Sequence, residues 1–362
     1  MRFIKHVYKI HTYAQDGRLF EGKTPVSAFL NSSYDGSFIA GLMELRYIQS
    51  LPVERIINYF ESHGFTLKKP TAHKLMEKAS SLFENLYKCI RQTALSDPYK
   101  AADETYYKIL VPEKNSKGKG VRKGYLWVVV GINTRMIYLL YDDGSRSEKV
   151  ILNELGGCKG IIQSDGYSPY RKLESDAYPH ITRIPCLQHI KRKFIDCGED
   201  DPDAKRIVEM INTLYQNEHK HKIGVDGWTV EQNLVHRKKY APDILGEIKD
   251  VLDDIEERGD LLPKSELKEA VTYLRNEWNA VVDIFNYGDT YLDNNIVERM
   301  NRYISLSRKN SLFFGSHKGA ERGAILYTIA LTCRMNKVNL FEYLTDVINR
   351  TAEWQPDRKS VV

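Results

Sequence analysis

Apolar residues recur at helical spacing over the first quarter of the chain, change to runs and alternation from Ala101, and return to helical spacing from about Asp196. Phe38, Ile39, Leu42, Leu45 and Ile48 predict a helix over Ser37 to Gln49. Val53, Ile56, Ile57 and Phe60 predict a second, with Pro52 at its first turn and Gly64 stopping it. After Lys68, Lys69 and Pro70, Thr71 caps a third that runs towards Cys89 or Leu95. Helix, short turn with glycine, helix is the outline of a helix-turn-helix; packing against the following domain is the competing reading.

The next segment predicts strands at Tyr106 to Val111, Tyr125 to Ile132 and Met136 to Tyr141, with a Gly/Lys-rich hairpin loop over Lys114 to Gly124. A short helix over Ser147 to Leu155, a buried strand over Gly160 to Ser164, a short helix from Ser168 to Glu174 and a strand over Ile181 to Cys186 follow. Three meandering strands, then helix, strand, helix, strand, is an α/β order with an antiparallel edge. That order predicts a ribonuclease-H-like mixed sheet of five strands. From Asp196 to Gly288 three apolar stripes predict an all-helical insertion: Ile207 to Leu214, Ile244 to Ile255, and Leu267 to Val281 behind the cap Ser265. A helix starting at Asn294 or Asn295, a basic loop over Arg308 to Arg322, and helices over Ala324 to Met335 and Leu340 to Asn349 complete the order. The expected division is a helical region (1–98), the first part of the core (99–195), the insertion (196–289), core completion (290–350) and a polar, frayed tail (351–362).

Composition narrows the function. At 362 residues with 42% apolar content the chain holds more than one core, and none of its apolar runs approaches the roughly 18 residues that span a bilayer. No signal-peptide segment is visible at the start, so a cytoplasmic location is expected and no membrane partner. Five scattered cysteines without a CxxC pair argue against a disulfide framework and a zinc ribbon. A net charge of +5 says less than its distribution. Arg299 to Arg322 holds six Lys/Arg against Glu321, Pro112 to Gly124 five against Glu113, and Arg183 to Lys193 four with no acid. Such clusters predict a polyanion partner.

Three acids stand out. Asp103 opens the first core strand, Asp165 closes the fourth, and Glu298 lies in the first turn of the Asn295 helix, whose apolar face is Val297, Met300 and Ile304. First and fourth strands are neighbours in a ribonuclease-H-like sheet, so the two aspartates are expected side by side with Glu298 brought over them. Whether Asp103 or its neighbour Glu104 points inward depends on strand phase. Converging carboxylates repel unless a cation lies among them, and hard oxygen ligands suit a pair of Mg²⁺ or Mn²⁺ ions acting on a phosphodiester. The bland readings are a turn residue for Asp165 and a helix-dipole carboxylate paired with Arg302 for Glu298.

These residues carry a resemblance. The chain resembles the bacterial insertion-sequence transposases of family sixty-six, within the DDE superfamily. The likeness rests on Ala102-Asp103-Glu104-Thr105, Gln163-Ser164-Asp165-Gly166-Tyr167, His189 with Arg192-Lys193-Phe194, Leu262-Pro263-Lys264-Ser265, Asp293-Asn294-Asn295 with Glu298-Arg299, Arg308-Lys309-Asn310, and Phe314-Gly315-Ser316 with Gly319, in that order. It implies that Asp103, Asp165 and Glu298 are a DDE triad of catalytic and metal-binding residues, and that the protein cuts and joins DNA ends with divalent metal. The implied partners are element ends and target DNA, a second copy on DNA, and accessory proteins of the element. The family's amino-terminal coiled coil and cysteine-rich zinc module are expected to be missing, since Tyr8 to Tyr13 stands where a CxxC belongs, and no zinc is expected. Chemistry adds His189, Lys191, Arg192, Lys193, Arg299, Arg302, Arg308, Lys309 and Lys318 as DNA contacts, with Asn294 and Asn295 as caps or orienters of the active-site helix. Two alternatives stay open: a catalytically silent DNA-binding remnant acting as a repressor through residues 37–95, and a nuclease of the same fold that hydrolyses without joining. P-loop, GxSxG and HExxH motifs are absent.

Overall fold

The computed structural model describes residues 2–22, 27–29, 32–114, 118, 120–198, 200–259 and 261–353. The expected frayed tail from Trp354 and the basic residues Lys117 and Lys119 lie outside these. The fold is mixed α/β and ribonuclease-H-like, and its long central strand is β3 (Tyr99–Leu110). Strands β4 (Val121–Gly131) and β5 (Met136–Leu140) stack antiparallel on one side of it. Strands β6 (Gly160–Ser164) and β7 (Ile181–Pro185) run parallel on the other, giving the order β5-β4-β3-β6-β7. A two-residue strand, β8 (Phe313–Phe314), pairs with β3 at Lys108 and Ile109 and makes the sheet six-stranded rather than five-stranded.

That second edge of β3 decides where the site lies. β6 covers it only from Tyr99 to Ala101 and β8 only at Lys108 and Ile109, so the stretch between has no strand beside it. Helix α11 (Asn295–Ser311) serves that stretch instead. The Asn294 side-chain amide donates to the Ala102 carbonyl at 3.1 Å, and the Arg308 guanidinium donates to the Tyr106 carbonyl at 2.6 Å. Edge carbonyls that a strand would have satisfied are thus satisfied by one helix.

The amino-terminal segment begins with an exposed hairpin, β1 (Thr12–Gln15) and β2 (Arg18–Glu21), where helix was expected. Helices α1 (Gly36–Met43, continued by a π-helical turn to Ile48), α2 (Val53–Ser62), α3 (Lys69–Leu82) and α4 (Glu84–Ser96) follow. Their apolar faces (Ile39, Ile56, Phe60, Leu75) join one hydrophobic cluster with Trp127 and Val128 of the sheet. Helix α12 (His317–Met335) and α13 (Leu340–Glu353) complete that cluster through Tyr327 and Leu344.

On the other side, α5 (Glu148–Leu155) and the short α6 (Ser168–Arg171) connect strands. Helix α7 (Leu187–Asp196) leaves β7 and leads to the insertion, α8 (Pro202–Lys220), α9 (Val230–Arg258) and α10 (Glu266–Ile284). A second cluster unites Ile190 and Phe194 of α7 with Ile211, Leu252 and Leu274 of the insertion.

Three expectations change. Asp103 does not open its strand: β3 starts seven residues before Tyr106 and carries Asp103 as its fifth residue. The Lys100 side chain is buried there because its ammonium donates to the carbonyls of Asp97 and Lys159, a tertiary arrangement invisible to local propensity. The basic loop over Arg308 to Arg322 is mostly helix, the end of α11 and the start of α12, with β8 between. Arg183, counted in a basic cluster, is buried on β7 and paired with Glu174 and Glu277.

Candidate functional site: an acidic centre at the open edge of β3

Strand phase sends Asp103 and Glu104 to opposite faces. Asp103 faces α11: its Oδ2 accepts from the Asn301 amide at 2.5 Å and its Oδ1 from the Glu104 backbone N–H at 2.8 Å. Glu104 turns to the other face, where it pairs with Arg146 and accepts from the Tyr170 hydroxyl. Burial, then the neighbouring charges of Glu104 and Asp165, push the Asp103 carboxyl up to about 8. An aspartate so displaced is an anion site short of positive charge.

Asp165 follows the last residue of β6. The parallel register matches Ala101 with Gln163, so continuing it two residues sets Asp103 opposite Asp165. The Asp165 carboxylate accepts from the Tyr167 backbone N–H at 3.1 Å. Its turn is buttressed from the insertion, where the Gly166 N–H donates to the Tyr273 hydroxyl at 2.9 Å, and from β7, where Arg183 donates to the Asp165 carbonyl. A Cβ at Gly166 would meet the Tyr273 hydroxyl at 2.5 Å, which is why the backbone there carries none.

Glu298 sits in the first turn of α11, half-buried, one turn before Asn301. Its Oε1 lies 3.9 Å from His189 Nδ1, so it faces α7 rather than pairing with Arg302. Cys186 stands beside both: its thiol accepts from the Asn294 N–H at 3.3 Å, and burial pushes that thiol up to about 11. Asn294 therefore orients α11 through its contact with Ala102, and its side chain makes no cap bond. Asn295 is exposed at the first helical position, its N–H donating to Asp293.

The donors are the oxygen type that hard cations take: the Asp103 carboxyl feels the charge of Asp165, Glu298 lies on the adjoining helix, and the buried oxygens Asn294 Oδ1 and Asn301 Oδ1 have no hydrogen-bond partner. Mg²⁺ and Mn²⁺ select such ligands. Among the described residues only Cys186, His189 and Glu298 bring three donor atoms within 4.8 Å of one another, so closing the three carboxylates on an ion requires side-chain movement.

The expected DNA contacts divide. His189, Arg192 and Lys193 line a cavity of about 300 Å³ together with Asp165. Lys191 is half-buried on the same helix. Arg308 is tied to β3. Arg299, Arg302, Lys309 and Lys318 are exposed to solvent, and among the described residues none forms an ion pair with the three acids. Phe314 is buried against Tyr107, while Phe313 is exposed.

Sequence reading missed a ladder of alternating rings and cations. Arg308 lies 3.9 Å from the Tyr106 ring centre, and Lys123 lies 4.4 Å from Tyr106 and 5.1 Å from Tyr125. Arg146 continues it, 5.1 Å from Tyr125 and 4.1 Å from Tyr167. Tyr106 and Tyr125 are cross-strand partners, and Tyr167 adjoins Asp165, so the ladder leads to the acidic centre. Period-two spacing of Lys123 and Tyr125 was its visible trace. Asn301 was missed as well, although it lies three residues after Glu298 on one helix.

Among the described residues no helix is long and apolar enough to cross a membrane. The profile of the transposase IS66 family matches residues 31–322. Curated relatives include three uncharacterized proteins of Sinorhizobium fredii (strain NBRC 101917 / NGR234). The chain is 26% identical to y4jD over 86% of its own length and 61% of the relative's. It is 25% identical to y4hP over 83% of its length and 56% of that protein, and 29% identical to y4qI over 70% and 48%. The chain thus spans about half to three-fifths of the length of these relatives.

Proposed function

Because the chain belongs to the IS66 family of transposases, we propose that it carries the catalytic centre of a DDE transposase, with Asp103, Asp165 and Glu298 as the triad acting on DNA phosphodiesters. The observation that supports the reading is the β3–β6 register, which when extended two residues beyond Ala101 and Gln163 points Asp103 towards Asp165, with the helix bearing Glu298 anchored to Ala102. Mg²⁺ or Mn²⁺, held by the three carboxylates as a pair, would supply activation of the attacking oxygen and charge neutralisation at the leaving oxygen.

The chain's own groups do the rest. Asn301 and the Glu104 N–H hold the Asp103 carboxylate in one orientation, and the Tyr167 N–H does the same for Asp165. His189 Nδ1 faces Glu298 Oε1 across 3.9 Å. Arg192 and Lys193, at the rim of the cavity, hold phosphates on the approaching strand, and the Tyr106–Tyr125–Tyr167 ladder offers rings to bases with cations between them. The insertion acts as the rigid backing of the Asp165 turn. Residues 99–195 and 290–350 form the catalytic core in this reading, with 1–98 as a helical region and 196–289 as the insertion. Element ends and target DNA are the substrates, and joining follows when a 3′-hydroxyl replaces water as the attacking group.

Asp103→Asn, Asp165→Asn and Glu298→Gln should each abolish Mn²⁺- or Mg²⁺-dependent nicking of DNA flanking the gene, while DNA binding in gel shift stays within about threefold. Undiminished nicking in all three removes the assignment.

A further inference from the structure

Cys186, His189 and Glu298 come from three places in the chain's local geometry: the residue after β7, the first turn of α7 and the first turn of α11. Their candidate donor atoms, a sulfur, an imidazole nitrogen and a carboxylate oxygen, all lie within 4.8 Å of one another. A tetrahedral ion with bonds of roughly 2.0–2.3 Å needs donors separated by about 3.5 Å, so small side-chain rotations close the set. His189 Nδ1 is buried, lacks a hydrogen-bond partner, and lies 3.9 Å from Glu298 Oε1. An orphaned imidazole nitrogen aimed at a carboxylate and a thiol is what a ligand set looks like before an ion joins it. Cys186 is the cap residue at the amino-terminal end of α7, and its sulfur accepts the Asn294 N–H at 3.3 Å, which fixes its position beside the other two donors. Cys186-Leu187-Gln188-His189 also has a spacing that lets one helical turn supply two ligands.

We propose that Cys186, His189 and Glu298 form a binding site for a borderline-soft divalent cation of the zinc class. Thiolate, imidazole and carboxylate are all zinc ligands, and three of them leave a fourth position open. Mg²⁺ does not choose a thiolate, so the site differs in ligand chemistry from the oxygen set around Asp103 and Asp165. The two share Glu298. A zinc-class ion held by Cys186 and His189 therefore draws Glu298 away from the hard-ion set, and Zn²⁺ becomes an inhibitor of Mg²⁺-dependent cleavage. The ligand set stands on donor geometry alone; the inhibition rests on the function proposed above.

The test uses the full chain, stripped with chelator and titrated with Co²⁺ as a spectroscopic stand-in. The expected result is one equivalent that develops tetrahedral visible bands and a thiolate-to-cobalt charge-transfer band in the near ultraviolet, distinct from any weakly absorbing six-coordinate Co²⁺ on the carboxylates. Cys186→Ser should lose the charge-transfer band, His189→Asn should weaken binding at least tenfold, and Asp165→Asn and Cys89→Ser should keep both features. Absence of the band in the unmodified protein, or its survival in Cys186→Ser, overturns the site. If Cys186→Ser does not fold, His189→Asn decides, since that ring is partly exposed; unchanged Co²⁺ affinity there overturns it. Inhibition is read separately: Zn²⁺ should suppress Mg²⁺-dependent nicking, and the half-inhibiting concentration should rise at least tenfold in His189→Asn, each protein scored against its own zinc-free rate. Zinc-insensitive nicking by a protein that binds Co²⁺ as expected overturns the shared ligand. Co²⁺ binding in a protein that never nicks upholds the site and removes the function.

Discussion

Replacing Asp103 with asparagine should make the metal-free protein more stable at pH 8, and by a clearly smaller margin at pH 5. Folding raises this carboxyl from 3.8 to about 8, so the folded state binds its proton more tightly than the unfolded chain does. The associated stability is fully present below about pH 4 and is lost as pH rises through about 8. At about 1.36 kcal/mol for each factor of ten in proton affinity, the rise sets a ceiling of about 6 kcal/mol for the penalty of ionising Asp103 in the fold. Water penetration and sharing of charge with Glu104 reduce that, and a difference of about 2–3 kcal/mol between pH 5 and pH 8 is the working expectation. Asparagine fits the site because the Asn301 amide can turn its unpartnered Oδ1 towards the new NH₂ group. The assay is equilibrium urea unfolding with chelator, both proteins at both pH values, repeated with saturating Mg²⁺. Divalent metal should raise the stability of the unmodified protein at pH 8 and do little for Asp103→Asn. A stability difference between the two proteins that is the same at pH 5 and pH 8 would refute the reasoning.

Two further outcomes follow from contacts on the far sides of the site. Arg183→Met should cost about 3–5 kcal/mol of unfolding free energy, because it leaves Glu277 buried with only Arg171 at 3.9 Å; Glu277→Gln should cost less, because Arg183 keeps Glu174, and the double substitution should cost less than the two single effects combined. Tyr125→Ala should weaken binding of single-stranded DNA by about 1–3 kcal/mol in fluorescence anisotropy with little change for duplex, and Arg146→Gln should flatten the slope of affinity against salt.

Much of the centre is legible in the amino-acid order itself. Asp165 and Glu298 lie where the strand run and the first helical turn put them, and apolar Val297 and Ile304 are buried as their spacing requires. The start of β3 is not legible, because Lys100-Ala101-Ala102 has the composition of a helix or loop and becomes strand only through its pairing with β4 and β6. Nor is the helical character of Arg308 to Ser311, since its polar residues carry no periodic signal and Arg308 is held there by donating to a β3 carbonyl 202 residues away in sequence. The ladder needs cross-strand register, and the cluster of Cys186, His189 and Glu298 needs two helices to meet; one-dimensional spacing encodes neither.

In the reading proposed above, three carboxylates remote in sequence share divalent ions. Crystals grown with Mn²⁺, with data collected at the manganese absorption edge, test it most directly. A shared site predicts anomalous peaks between the Asp103 and Asp165 carboxylates and within bonding reach of Glu298, at about 2.0–2.2 Å from the ligand oxygens. Manganese bound elsewhere, with these three side chains clear of it at saturating concentration, would contradict the claim.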